Sequence, residues 1–399
     1  MIRIFRGLII VCFLFLKITI SAQNVKPLLV SANTIINGDQ QTGVYFPLIK
    51  GKKVGVVANQ SSIINKIHLV DTMISSGIKV VHIFNPEHGF RGNADAGQVV
   101  KNGMDSKTGI QVISLYGKHK KPSDFDLSGI DVMVFDLQDV GVRFYTYIST
   151  LTLVMEACAE NHIPLILLDR PNPNGFYVDG PVLKKGFESF VGMHYVPVVY
   201  GMTIGEYAKM VNGEKWLKNG ISCRLKVVKL KKYTHNMIVK LAVKPSPNLP
   251  DWQSIYLYPS LCFFEGTVVS VGRGTALPFQ VFGYPGMKGN YSFIPHSIPG
   301  AALHPKLENK VCRGFNLRPY AEHYRKNPSQ IHLKWLIYAY RQIHKSQSNF
   351  FNGYFNTLAG NDLLKSQITD GIGEKAIRKS WQSGLKHFKS IRSKYLLYK

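Results

Sequence analysis

Between residues 53 and 169 short, largely apolar runs alternate with longer stretches whose apolar positions recur at helical spacing. The runs at 54–58, 80–84, 111–115, 132–135 and 165–168 are rich in Val, Ile, Leu and Phe, as strands buried on both faces are. Amphipathic spacing at 67–75 and 147–161 predicts helices between them, and this alternation predicts a parallel, doubly wound α/β sheet. Thr203-Ile-Gly-Glu206 has the form of a capping box, so a helix is expected from Thr203 to about residue 212. Runs at 225–228 and 239–243 are expected to extend the sheet. The pattern then breaks at Lys244-Pro-Ser-Pro-Asn-Leu-Pro250, whose prolines suit neither a helix interior nor a central strand. A first domain over 23–250 and a smaller α+β domain over 251–399 follow from that break. The second domain is expected to carry a β-like stretch at 262–291, a helix near 333–345 and a basic helical tail over 374–395, and to close one side of the crevice above the sheet.

The first 22 residues read differently from the rest. Arg3 and Arg6 precede an apolar stretch that Lys17 interrupts before it is long enough to span a bilayer, and Ser21-Ala22 ends it. This is the pattern of a cleaved secretory signal over 1–22, so the mature protein is expected to be exported, periplasmic or secreted, with no integral membrane segment. The 399 residues carry 49 Lys and Arg against 24 Asp and Glu, a net charge of +25. Such a surface attracts acidic substrates. The basic residues are scattered and no nucleic-acid motif accompanies them, so a nucleic-acid partner is not expected. Cys158, Cys223, Cys262 and Cys312 are too widely spaced for a zinc, haem or redox motif, and the spacing leaves any disulfide pairing open.

Candidate chemistry lies just past three of the strand runs: Glu87 and His88, with Arg91 close by; Asp136 and Asp139, with Arg143 and Tyr147; Asp169 and Arg170, with Asn172 and Asn174. In an open parallel sheet the carboxyl ends of the strands share one crevice, so carboxylates from separate segments are expected to meet there. Glycoside hydrolysis needs such a set, one acid to protonate the leaving oxygen and one ionised group as nucleophile or base. Glu87, on a stiff Pro-Gly loop, is the candidate acid, and Asp136, Asp139 and Tyr147 are candidate partners. His88, Arg91, Arg143, Asp169, Arg170, Asn172 and Asn174 are candidate sugar contacts. Glu265 and Arg273 are expected to face the crevice from the second domain. Gly272-Arg-Gly274 lacks the third glycine of a dinucleotide loop, and no P-loop or Gly-x-Ser-x-Gly elbow occurs. Glu87, His88 and the aspartates leave a metal-dependent hydrolase as one rival, although no paired-histidine spacing supports it. A non-catalytic protein that uses the same crevice for carbohydrate recognition is the other.

Five motifs carry a resemblance: Phe84-Asn-Pro-Glu-His-Gly-Phe-Arg91, Asp136-Leu-Gln-Asp-Val-Gly-Val-Arg-Phe-Tyr-Thr-Tyr147, Asp169-Arg-Pro-Asn-Pro-Asn174, Pro245-Ser-Pro-Asn-Leu-Pro250 and Ile391-Arg-Ser-Lys-Tyr-Leu-Leu-Tyr398. In this order they resemble the exo-β-N-acetylmuramidase family, from about Gly43 to the C-terminus. The resemblance implies a Rossmann-like N-terminal domain, a smaller C-terminal domain and an active site between them. It also implies release of terminal N-acetylmuramic acid from the non-reducing ends of peptidoglycan fragments and Glu87 as catalytic glutamate; no cofactor or metal is expected, since carboxylates alone supply the acid and the nucleophile or base. The lactyl carboxylate of that sugar calls for a cation, and Arg91, Arg143, Arg170 and Arg273 are the candidates.

Overall fold

The computed structural model of the chain describes residues 28–87, 89–91, 103–324 and 330–398. The expected signal segment 1–22 and His88 lie outside the described residues. Seven strands form the main sheet: β1 (Lys53–Ala58), β2 (Lys79–Asn85), β3 (Gly103–Met104), β4 (Gln111–Ser114), β5 (Val132–Asp136), β6 (Leu165–Leu168) and β7 (Leu225–Val228). Their order is β7-β6-β5-β1-β2-β4-β3, parallel except for the short edge strand β3. The sheet grows from β1 in both directions, so the switch in direction falls between β1 and β5.

Side chains on a strand alternate between faces, and here each face meets its own apolar layer. Val54, Val56, Val132, Val134, Ile166 and Leu168 share one layer with Leu69, Val70 and Met73 of helix α1 (Leu69–Ser75). Val57, Met133, Phe135, Leu165 and Leu167 point the other way, onto helix α2 (Tyr147–Glu160) and helix α3 (Ile204–Gly213). The second layer continues without a break into the second half of the chain, through Leu257, Phe263, Phe264, Phe279 and Leu336. At the start of α3 the Thr203 and Glu206 side chains exchange bonds with each other's backbone amides, at 3.2 and 2.9 Å.

In the first half of the chain two elements differ from the sequence reading. The stretch expected as a helix from residue 67 begins as a hairpin, Ile63–Ile64 against Ile67–His68, whose turn residues Asn65 and Lys66 both have positive φ, 47° and 72°; α1 starts only at Leu69. The run at 239–243 does not extend the main sheet. Its strand is Met237–Lys240, which pairs in parallel with Leu28–Ser31.

The second half holds a three-stranded antiparallel sheet, Val281–Tyr284, Cys312–Asn316 and Tyr291–Phe293, with Cys312–Asn316 central. The 262–291 stretch therefore contributes one strand, Val281–Tyr284, and ends where the next, Tyr291–Phe293, begins; its start is a 3-10 turn, Cys262–Gly266. The basic tail is two helices, Glu374–Ser380 and Gln382–Ser393, rather than one. It returns to the first half, where Tyr398 donates its hydroxyl to Asp169 Oδ2 at 2.5 Å and the Leu397 amide donates to Glu206 at 2.7 Å. All four cysteines of the described residues are buried free thiols. Among the described residues no helix is long and apolar enough to cross a membrane.

Candidate functional site

Glu87 sits one residue beyond Pro86 at the carboxyl end of β2, half-buried. Tyr116, just past the next strand β4, donates its hydroxyl to Glu87 Oε1 at 3.1 Å. Thr146, the residue before α2, places its hydroxyl 3.5 Å from Oε2, which is long for such a bond. Burial first, then the Glu87 charge, raises the Tyr116 phenol above its ordinary pKa, so it stays protonated and able to donate. Glu87 opens into a cavity of about 400 Å³, lined also by Lys120, Phe144, Phe190, Tyr258, Glu265, Arg273 and Tyr354. A smaller pocket of about 60 Å³ shares Glu87, Thr146, Tyr258 and Arg273 and reaches Tyr147, Ser246, Asn248 and Leu249. The cavity is thus walled by both halves of the chain.

The second carboxylate in it is Glu265, bound through both oxygens by Arg273 at 2.8 and 2.7 Å. Burial works to raise its pKa, but Arg273, with Lys306 adding to it, outweighs burial and holds the carboxyl below its ordinary value. Lys306 donates to Phe264 O at 3.0 Å and to Thr267 O, which fixes the turn that carries Glu265. Burial pushes the Lys306 ammonium down to about 8. Lys120 lies 4.8 Å from the centroid of the Phe190 ring, a cation–π contact that leaves the ammonium at the cavity wall.

Of the residues singled out in the sequence, Glu87, Tyr147, Glu265 and Arg273 come together. Tyr147 accepts from Asn59 Nδ2 at 2.6 Å, and burial raises its phenol pKa. The remaining candidates among the described residues are placed elsewhere, each committed to another partner. Asp136 takes a bidentate bond from Arg170, 2.7 Å at each oxygen, and the same guanidinium reaches Asp39 at 2.9 Å. All three side chains are buried. Asp139 is buried against the Tyr200 hydroxyl and the Gly141 amide. Asp169 accepts from Gly205 N, Thr203 Oγ1 and Tyr398, at 2.8, 2.8 and 2.5 Å. Asn172 donates to Met202 O and Asn174 to Val140 O, so these two amides brace the interior. Arg91 is held by Asp105 at 2.7 and 2.8 Å and by Asp71 at 3.3 Å.

Arg143 is fully buried, and its two terminal nitrogens donate to four carbonyls, Pro181, Val196, Leu358 and Ala359, each at 2.9 Å. Burial pushes its pKa down to about 9. Gly360, in the left-handed region at φ 71°, allows this approach, since a Cβ there would stand 2.7 Å from Arg143 Nη2. Arg143 therefore positions the 354–358 segment, whose Tyr354 and Leu358 line the cavity, instead of touching a substrate.

Burial pushes the Asp139 carboxyl up to about 6 and that of Asp169 up to about 7. An unfolded aspartate ionises near 3.9, so between about pH 4 and 6 the native state holds protons that the unfolded state has released. Stability then falls as pH rises through that window. Asp139→Asn is expected to flatten the urea-unfolding free energy between about pH 4 and 6 by roughly 1–2 kcal/mol. An unchanged slope would mean that Asp139 ionises normally in the fold.

Tyr116, Lys120, Thr146, Phe190, Tyr258 and Tyr354 were not legible as site residues. Tyr116 and Lys120 follow β4 as Glu87 follows β2, so the strand-end rule that picked out Glu87 could have reached them. Thr146 lies inside the Asp136–Tyr147 motif, unremarked between two phenols. Among the described residues no three His, Cys, Asp or Glu side chains are grouped to hold a metal ion.

The chemistry that uses a half-exposed carboxyl group, a second carboxylate held ionised and aromatic walls in one cavity is glycoside hydrolysis. Comparison with known proteins narrows the class. Residues 54–253 match the N-terminal and residues 256–398 the C-terminal model of the exo-β-N-acetylmuramidase NamZ, and the chain belongs to that family. It is 37% identical over 383 residues to the peptidoglycan β-N-acetylmuramidase NamZ of Bacillus subtilis strain 168, covering 90% of this chain and 91% of that one. Two crystal structures of DUF1343 family proteins from Bacteroides fragilis are similar in fold. One has a TM-score of 0.83 at 44% identity and the other 0.78 at 28%, each covering 92% of this chain and 99% of its own.

Proposed function

We infer that this chain is an exo-acting peptidoglycan β-N-acetylmuramidase in which Glu87 protonates the glycosidic oxygen as the bond to the anomeric carbon breaks, with water supplying the hydroxyl of the released sugar. The observation that carries this reading is the placement of Glu87, bonded by Tyr116, in a cavity shared with the Glu265–Arg273 pair, in a chain of this family. Tyr116 can donate to the ionised carboxylate or accept from the acid, which suits a group that cycles between the two. Glu265, kept ionised by Arg273, is the candidate for the second carboxylate. We further read the sheet as Rossmann-like, the chain as two domains meeting near Pro250, and residues 1–22 as an export signal that delivers the enzyme to the wall it acts on.

The test of exo action is a defined oligosaccharide with muramic acid at its non-reducing end. The monosaccharide should appear first, and the same oligosaccharide capped there with N-acetylglucosamine should resist. Addition of chelator should change neither result. Internal fragments at early times would contradict exo action, and activity lost to chelator and restored by a divalent ion would favour a metal-dependent hydrolase. No release from any of these substrates would leave a wall-binding protein.

Lys120 is the proposed partner of the lactyl carboxylate, since Arg273 is already committed to Glu265 while Lys120 rests on an aromatic ring. A hydrogen bond to a charged group contributes about 1.5–3 kcal/mol. Lys120→Met is therefore expected to cut the kcat/KM preference for an N-acetylmuramide over the matching N-acetylglucosaminide by roughly 10-fold to 100-fold. An unchanged ratio would remove Lys120 from recognition.

A further inference from the structure

A second cavity, of about 280 Å³, lies outside the chemistry described above. Its lining includes Ser61, Gln138 and Arg170, which follow β1, β5 and β6, so it opens at the carboxyl ends of the strands where the sheet switches direction. In open parallel sheets that crevice is where ligands bind. The tight hairpin turn at Asn65 and Lys66, both at positive φ, also lines it.

We propose that this cavity is a binding site for one N-acetylated hexosamine ring, separate from the site that cleaves. Two nine-tenths-buried side chains give it polarity. Arg170, 5% exposed, spends Nε and Nη2 on Asp136 and Asp39. Nη1 is thereby left as a charged donor with no hydrogen-bond partner among the described residues. Gln138, also 5% exposed, spends its amide nitrogen on the carbonyls of Asp139 and Pro171, both at 2.8 Å, which leaves its oxygen as an acceptor. A donor and an acceptor in one cavity lining match the carbonyl of an acetamido group and a neighbouring hydroxyl.

Charge selects against the alternatives. A cation would meet Arg170 and Lys66. A small anion would find the Arg170 charge already opposed by two carboxylates, and the Gln138 oxygen repels it. Asn37 and Asn65 add amides around the rim, and Ile63 and Leu241 offer apolar surface for the ring's C–H face. The volume lies at the small end of ligand pockets, which start at roughly 300 Å³, so one ring fits and a disaccharide does not.

A ring seated there would also touch the strap that bounds the catalytic pocket. Leu241 and Val243 line the second cavity. Two residues on, the Pro245 carbonyl accepts from Gln60 Nε2 at 3.1 Å and Tyr145 at 2.7 Å, and Asn248 and Leu249 line the pocket at Glu87.

The experiment is a methyl-resolved NMR titration of the full chain. N-acetylglucosamine should shift the methyls of Ile63, Leu241 and Val243 to saturation, whereas Leu358 reports the catalytic cavity. Glucose, which lacks the acetamido carbonyl, should bind the second cavity about 10-fold or more weakly, as loss of a charge-assisted hydrogen bond requires. Ala242→Trp, an exposed position on the cavity wall, should abolish the second set of shifts and keep the Leu358 response to N-acetylmuramic acid. Ile63→Trp, which fills the cavity from the opposite wall, should do the same. Tighter binding of N-acetylmuramic acid than of N-acetylglucosamine would identify the released product as the source of the ring, and the reverse order a neutral neighbour from the wall. The proposal is overturned by unshifted Ile63 and Leu241 methyls, by equal binding of glucose, by shifts that survive both tryptophan variants, or by inorganic phosphate binding more tightly than the sugar. Any of these would leave the muramidase reading standing, because turnover depends on Glu87.

Discussion

Glu87→Gln is expected to lower kcat on an oligosaccharide with N-acetylmuramic acid at its non-reducing end by about 10²–10⁴-fold, the range that general acid–base assistance contributes. The amide has the shape of the carboxyl and can still accept from Tyr116, but it cannot give a proton to the leaving oxygen. KM should change little, and the circular dichroism spectrum and thermal midpoint should match the parent, because Glu87 is half-buried at the edge of a cavity rather than in the core. Activity within threefold of the parent would exclude Glu87 as the acid. A substrate with an activated phenolic leaving group sharpens the result, since a leaving oxygen that needs no proton should restore much of the rate of the glutamine variant.

Arg143→Met is expected to fail differently, through stability. The substitution keeps most of the apolar stem but strips four carbonyl oxygens of their donor. A buried polar group left unsatisfied costs about 1–3 kcal/mol, so the loss should reach at least about 3 kcal/mol in urea unfolding. Two of those carbonyls, Leu358 and Ala359, belong to the segment that brings Tyr354 and Leu358 to the cavity, so turnover should fall along with stability. The muramide-to-glucosaminide ratio should hold, because the guanidinium meets no substrate. A ratio that collapsed in a stably folded variant would return Arg143 to substrate recognition.

The contrast between these two residues shows what a sequence can and cannot carry. Both lie in motifs just past strand ends, and both are residue types that enzymes use. The strands themselves were legible because a sheet covered on both faces demands consecutive apolar residues, a demand that 54–58 and 165–168 state in one dimension. The start of α3 was legible because a capping box is local, closed within Thr203 to Glu206. That Glu87 stands at a strand end on a stiff loop was likewise written in Pro86 and Gly89.

Tertiary structure alone decided which of the polar side chains at those strand ends face the cavity and which face one another. Asp136 and Arg170, 34 residues apart, satisfy each other in the interior, and Asp169 waits for Tyr398, 229 residues away. No local pattern distinguishes such pairing from an open site, since burying a charge only requires that some partner arrive. The same holds for what Glu87 meets. Tyr116 and Lys120 come from beyond the next strand, and Glu265, Arg273 and Tyr354 from the other half of the chain. The sequence by itself determined the central strands of the sheet, most of the helices that cover them and the place of Glu87 at the end of β2. The cavity around that acid exists only where distant segments close on it, because a cleft is a relation between surfaces and no single segment contains it.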